Sequence, residues 1–210
     1  VDVLQDGRVV PRKRLDHQRA LASEAARLTM LVENVLDLGR VERGERSYDR
    51  RHEDISDVID NSVRLYAPLA TRADMDIDVS LTKTSNEEPI LVDADRGTIV
   101  QVVLNLLENA RRYPSAGMRV NVRGYLAASN RYKITVRDFG PGVRPDERET
   151  IFAKFSSGRA AAQGGNPGVG LGLYLARAIV RDHGGDLTCM DPTDQGNGAC
   201  FRLLLPAIQV

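Results

Sequence analysis

Thr98-Ile99-Val100-Gln101-Val102-Val103-Leu104-Asn105-Leu106-Leu107-Glu108-Asn109-Ala110-Arg111-Arg112-Tyr113 is the stretch that decides how the chain is read. Most of its side chains are apolar, which predicts a buried helix. Asn105, Glu108, Asn109 and Arg112 fall at spacings of three and four, and residues so spaced share one helical face. A greasy helix therefore carries a polar row of two amides, a carboxylate and a guanidinium. Burying such a group without a partner costs about 1–3 kcal/mol. The row must face water, other polar groups or a ligand.

Upstream of this helix, Ile90-Leu91-Val92 reads as a short strand, and Asp93 or Asp95 can cap the helix that follows. Asp76 to Leu81 alternates and predicts a strand. A second helix is expected after Asp54, with Ile55, Val58, Ile59, Val63, Tyr66 and Leu69 on its buried face. Residues 45–53 are polar and read as a linker running into a short strand. Over 16–43, Leu21, Leu28 and Val35 repeat every seven residues, with Leu31 and Leu38 in a second seam. That pattern predicts a helix packed in a bundle or coiled coil, and Gly44 ends it. The expected domains are a helical remnant over 1–44 and a mixed domain over 45–210.

Downstream, Arg119–Ala127 and Arg131–Arg137 alternate as two antiparallel strands with a turn at Ser129-Asn130. Asp138-Phe139-Gly140-Pro141-Gly142 follows the second strand directly, and no strand could continue through it. Pro145–Ile151 suits a short helix, and residues 156–168 are small, polar and Gly-rich. Gly170–His183 reads as a helix, and Asp186–Met190 and Ala199–Leu205 as closing strands. The fold class is α+β: an antiparallel-rich sheet covered on one face by helices, a two-layer sandwich.

Bulk properties narrow the function by exclusion. Lys+Arg and Asp+Glu are both 29 in 210 residues, so net charge gives no argument for nucleic acid or a membrane surface. The apolar content of 42% suffices for a core. Cys189 and Cys200 are too few for a disulfide framework and read as core thiols. No run of roughly 18 apolar residues exists, so no segment reads as a membrane span.

Three further stretches carry chemistry. A carboxylate at a strand end, as at Asp138, can accept from an exocyclic amine, while Gly140 and Gly142 let the backbone approach a flat ring. Gly168-Val169-Gly170-Leu171-Gly172-Leu173 precedes a helix, whose free N–H groups attract phosphate. It is neither a dinucleotide fingerprint nor a P-loop. An Asn-bearing helix, then Asp-x-Gly-x-Gly, then Gly-x-Gly-x-Gly, in that order, resembles the ATP-binding family shared by sensor histidine kinases, gyrase, the Hsp90 chaperones and mismatch-repair ATPases. Within it the chain is most similar to a histidine kinase. Asn105–Tyr113 matches the N box, Asp138–Gly142 the first glycine box, Ile151-Phe152-Ala153-Lys154-Phe155 the F box and Gly168–Leu173 the second glycine box. Arg27-Leu28 and Val35–Gly44 look like the second helix of the dimerisation and histidine-phosphotransfer hairpin.

The resemblance implies the Bergerat-type ATP-binding fold, ATP as substrate and Mg²⁺ as cofactor. It implies that Asn109 binds the metal, that Asn105 supports the phosphates and that Arg112 holds them where the family usually has Lys. Tyr113 is expected at the nucleotide, Asp138 on the adenine amine, and Gly140 and Gly142 at its ring. Lys154 belongs to the expected lid over 153–168, and Gly168, Gly170, Leu171, Gly172 and Leu173 to the phosphate loop. Ser157 departs from the family's usual basic residue, with Arg159 nearby. Catalysis is expected from Glu108, Asn109 and Arg112, with Glu108 polarising the attacking imidazole.

The implied function is transfer of the ATP γ-phosphoryl to a His, for relay to the receiver domain of a response regulator, by a homodimer. None of His17, His52 and His183 fits the family's acceptor motif, so the acceptor is expected upstream of Val1. The part in hand is expected in the cytoplasm, within a parent that an upstream segment could anchor in the bacterial membrane. The alternative is a degenerate nucleotide-binding or docking module without kinase activity.

Overall fold

The computed structural model describes residues 32, 36–41, 43, 45–82, 88–112, 118–127, 129–156, 169–192 and 196–208. Of the helix expected over 16–43, Val32, residues 36–41 and Arg43 are described, and all are helical. The rest of that helix lies outside the described residues, as do His17, Tyr113 and Gly168.

The order is β1 (Arg51–Asp54), α1 (Ile55–Arg72), β2 (Asp76–Leu81), β3 (Leu91–Ala94), α2 (Arg96–Arg112), β4 (Arg119–Ala127), β5 (Arg131–Asp138), α3 (Gly172–Asp182), β6 (Asp186–Met190) and β7 (Cys200–Pro206). The main sheet has five strands in the order β2-β4-β5-β7-β6. Its pairs are antiparallel except β2 with β4. A parallel pair needs a long crossover, and here that crossover contains α2. β1 and β3 form a second, antiparallel ribbon, tied to the end of β7 by the Val92–Ala207 bridge, so the strand expected around Ile90–Val92 is real but is not one of the five.

Alternation is what makes the sheet one-sided. Val120 and Val122 of β4, and Tyr132, Ile134 and Val136 of β5, are buried against the helices. The intervening Asn121, Arg123, Thr135 and Arg137 turn to the open face. There the guanidinium carbons of Arg119 and Arg137 stack 4.2 and 4.4 Å from the Phe139 ring centroid.

The helix ends differ from expectation in small, explicable ways. Asp54 caps α1, accepting from the Ser56 N–H at 2.9 Å. Of the two capping candidates for α2, Asp95 does the work, accepting from the Thr98 N–H at 3.0 Å. The helix therefore opens at Arg96, ahead of the apolar run. α3 opens at Gly172 instead of Gly170, because Gly170 has φ +71°. Pro145–Ile151 folds as two short 3-10 turns, Pro145–Glu147 and Thr150–Phe152.

α2 lies between α1 and α3 and touches both, and it also reaches β5. The core beneath it includes Ile99, Leu106, Leu107, Ile179 and Phe201. Cys200 is buried and Cys189 half-buried, both as free thiols, and burial pushes the Cys189 thiol up to about 12. Among the described residues, no helix is long and apolar enough to cross a membrane.

Candidate functional site

The polar row of α2 divides between two neighbours. Three residues advance a helix by about 300° and four by about 400°. Glu108 therefore sits about 60° to one side of Asn105 and Asn109 about 40° to the other. The row is wide enough to meet both flanking helices.

Asn105 faces α3. It is 6% exposed, and a Cβ on Gly172 would lie 3.3 Å from its Oδ1. The N box and the second glycine box thus touch. The Asn105 Nδ2 is buried with no hydrogen-bond partner among the described residues. Such an orphan donor costs about 1–3 kcal/mol, and a phosphate oxygen would satisfy it. Asn109, one turn on, is half-buried.

Glu108 faces α1. Its Oε2 accepts from the Tyr66 hydroxyl at 2.9 Å and from Arg111 Nε at 2.9 Å. Its Oε1 accepts from Arg111 Nη2 at 2.7 Å and lies 3.5 Å from Arg112 Nε. Burial at 6% exposure would raise this carboxyl. The Arg111 hydrogen bonds and charge, with Tyr66 and Arg112, outweigh that and hold it below the usual carboxylate range. Among the described residues Oε2 thus has two donors and Oε1 one.

Asp138 closes β5 and is 5% exposed. Its Oδ1 accepts from the Gly140 N–H at 3.0 Å and the Ala199 N–H at 2.9 Å. Among the described residues both donors fall on Oδ1, leaving Oδ2 for a ligand amine. Burial pushes the carboxyl up, and the two N–H donors and the Arg137 charge only partly offset it. Gly198 makes this geometry possible. It has φ +121°, and a Cβ there would meet the Asp138 carbonyl oxygen at 2.0 Å. Gly142 packs on the same spot: its Cβ would be 2.9 Å from the Gly198 carbonyl oxygen. The sequence shows no role at the site for Gly198 or Ala199, which lie between and within the two closing strands. The Gly-x-Gly of Gly196 and Gly198 was the available signal, but it gains meaning only once β7 lies beside β5.

The second glycine box joins the F box by backbone contact. A Cβ on Gly170 would sit 2.6 Å from the Phe155 carbonyl carbon. Phe155 itself has φ +60° and is 64% exposed. Leu171 is buried and Leu173 packs against the core. Among the described residues no side chain caps α3, so its first-turn N–H groups are the kind of donors that suit an anion. Lys154 is exposed, with Nζ 5.3 Å from the Tyr174 ring centroid. Arg177, which the sequence reading did not single out, pairs with Glu149 at 2.5 Å and stacks on Phe152 at 4.6 Å. It ties α3 to the F-box turn.

Residues 94–209 match the family of histidine kinase-, DNA gyrase B- and HSP90-like ATPases. A solved structure of the mycobacterial sensor histidine kinase MprB shares 32% identity with this chain, at a TM-score of 0.64, covering 76% of this chain and all (100%) of that one. The chain belongs to the sensor histidine kinase family. Other sensor histidine kinases agree. The sensor protein KdpD of Escherichia coli K12 is 33% identical over 85% of this chain and 19% of its own length. Full-length ShkA, solved in complex with AMPPNP, is 26% identical with a TM-score of 0.71, over 99% of this chain and 41% of that one. MprB of Mycolicibacterium paratuberculosis is matched over 36% of its length, so the chain spans well under half of these full-length histidine kinases.

Proposed function

We propose that this chain is the ATP-binding, phosphoryl-donating part of a sensor histidine kinase. The observation that carries the reading is the Asn105 Nδ2, buried and without a partner among the described residues, set against Gly172 at a helix start that no described side chain caps. A polyanion at that junction would satisfy the amide and the first-turn N–H groups together. Oδ2 of Asp138 would accept the adenine amine, and Arg112 would pair with phosphate oxygens. Gly170, Leu171, Gly172 and Leu173 would shape the backbone around the phosphates. Tyr113, Gly168 and Lys154 are proposed at the nucleotide on the same grounds as before, their motif positions.

The residues present fit Mg²⁺ as a shared ligand. Among the described residues no group of three His, Cys, Asp or Glu could cage a metal. Asn109 would supply one amide oxygen, and phosphate oxygens and water the rest, as this cation prefers. When bound, Mg²⁺ neutralises phosphate charge. The chain's own residues position the triphosphate, which is most of what phosphoryl transfer asks of a protein. Glu108 is proposed to hold the guanidinium groups rather than to polarise the acceptor.

An imidazole nitrogen of a His on another segment would attack the γ-phosphorus, with ADP leaving. His183 is unsuited: it is 4% exposed, and its Nε2 accepts from the Asp95 N–H at 3.1 Å. His52 lies in β1, outside the motifs. The phosphoryl group would pass to the receiver domain of a response regulator. Val32 and Leu36, four apart and each 58% exposed, suit a helix that pairs with a second copy.

Titration calorimetry with ATP tests the reading. Binding is expected in the micromolar-to-millimolar range and is expected to weaken when Mg²⁺ is chelated. No binding under either condition would remove the proposal and leave a docking module.

A further inference from the structure

We infer that Tyr66, which lies outside every nucleotide-binding motif, is a positioning residue for the phosphate-binding guanidinium of Arg112 and acts on it through Glu108. The inference rests on the reading of Arg112 given above. Tyr66 projects from α1 and is 0% exposed. Its hydroxyl is one of two donors to Glu108 Oε2, at 2.9 Å. Burial first, and then the Glu108 charge, raise the phenol far above its ordinary value. It is therefore a neutral, permanent donor.

The second donor is Arg111, whose Nε and Nη2 span both oxygens of Glu108 at 2.9 and 2.7 Å. Such a fork fixes the plane of the carboxylate. Arg111 comes from the same helix, so on its own it would let the pair swing together. Tyr66 pins that pair to a second helix packed in the core. Once the plane is fixed, Oε1 faces Arg112 Nε at 3.5 Å as an ion pair. Among the described residues this is the one ion pair that Arg112 makes, and it engages Nε. Among the described residues neither Nη group has an ion-pair partner, which leaves them for phosphate oxygens, and the Nε contact restricts where they can point. Arg112 is the last residue of α2, where a side chain is otherwise least constrained. A long side chain loses about 1.5–2 kcal/mol of rotamer freedom when ordered, and prior ordering by Glu108 lowers what the nucleotide must supply.

The test is Tyr66→Phe, which removes the hydroxyl and keeps the ring. ATP–Mg²⁺ and adenosine are titrated into this chain, and thermal unfolding is followed alongside. The expected result is ATP affinity weakened about three- to tenfold, the scale of one ordinary hydrogen bond, since Tyr66 acts on Arg112 only through Glu108. Adenosine affinity is expected to stay within twofold, since adenosine has no phosphate for Arg112. Arg112→Ala weakens ATP more, and adding Tyr66→Phe to it costs nothing further. If Tyr66→Phe is poorly folded, Glu108→Gln is read instead and is expected to show the same ATP-only loss.

Equal weakening of ATP and adenosine, or a Tyr66→Phe effect that persists in Arg112→Ala, would overturn the inference and make Tyr66 a merely structural group. Normal ATP affinity in Tyr66→Phe, with a loss in Arg112→Ala, overturns the inference alone. Normal ATP affinity in Arg112→Ala removes the phosphate role of Arg112, and the inference falls with it.

Discussion

Asp138 and Glu108 are both buried carboxylates, 5% and 6% exposed, yet their protonation is tuned in opposite directions. Glu108 is surrounded by two arginines and a phenol, which favour its charge. Asp138 meets only two backbone N–H groups and the more remote charge of Arg137, so burial wins. The Asp138 carboxyl therefore takes up a proton at a higher pH than an ordinary aspartate. A protonated carboxyl accepts poorly from an amine. ATP affinity is expected to fall as pH drops through this raised value, and calorimetry across a mildly acidic series reads it. In Asp138→Asn the affinity is expected to be about tenfold weaker at neutral pH and nearly flat over the same series.

At the level of elements, the site is made where segments remote in sequence press their backbones together. The turn before β7 closes on the end of β5 through Gly198, and α3 closes on α2 through Gly172. In Gly198→Ala the new methyl group would overlap the Asp138 carbonyl at 2.0 Å and would sit on a residue with φ +121°. Neither strain can relax without moving a strand end. A loss of roughly 3–5 kcal/mol is expected from steric overlap and backbone strain combined, measured by urea denaturation. A near-neutral result would mean that the turn has room the close approach denies. Gly97, where a Cβ would meet nothing nearer than Asp95 Oδ1 at 3.5 Å, is the matching control.

Across the whole molecule, the upstream helix touches α2, and the linker touches the end of α3 and the cap of α2. Gln101 of α2 donates to Asp37 at 2.8 Å. The Tyr48 hydroxyl donates to Asp182 at the end of α3 at 2.5 Å, and the Asp49 N–H donates to the α2-capping Asp95 at 3.0 Å. His183 sits among them, 4.7 Å edge-on from the Tyr48 ring. Its Nδ1 bonds the Ile179 carbonyl at 2.7 Å, and its Nε2 must stay unprotonated to accept from Asp95. Burial lowers the His183 pKa, assisted by the Arg50 charge and opposed by the Ile179 carbonyl, Asp95 and Asp182. The unfolded chain thus binds this proton more readily than the folded one. The stability His183 contributes is complete above its unfolded value of about 6.5 and is lost as pH falls toward and through the lowered folded value. Thermal unfolding is expected to fall between about pH 7.5 and about pH 5.5. His183→Gln, whose amide can serve both partners and cannot titrate, is expected to lose much of that dependence.

How much of this was legible in the chain depends on the range of the physics involved. Strands Asp76–Leu81 and Arg119–Ala127 stand where alternation put them, because a period of two is a local consequence of one buried face. The apolar helix through Arg112, the helix that begins after Asp54 and the ordered glycine boxes are equally local. The sequence alone therefore determined the fold class and the histidine kinase family. It did not determine that the polar row of α2 divides, because the choice between α1 and α3 is made by packing that brings Tyr66 to Glu108 across 42 residues. Nor did it reveal Gly198, whose φ and close approach exist only once β7 lies against β5. Tertiary structure decided which carboxylate keeps an oxygen without a partner among the described residues, at Asp138, and which is held by arginines and a phenol, at Glu108. That choice turns on desolvation and neighbouring charge, and neither is defined until distant segments meet.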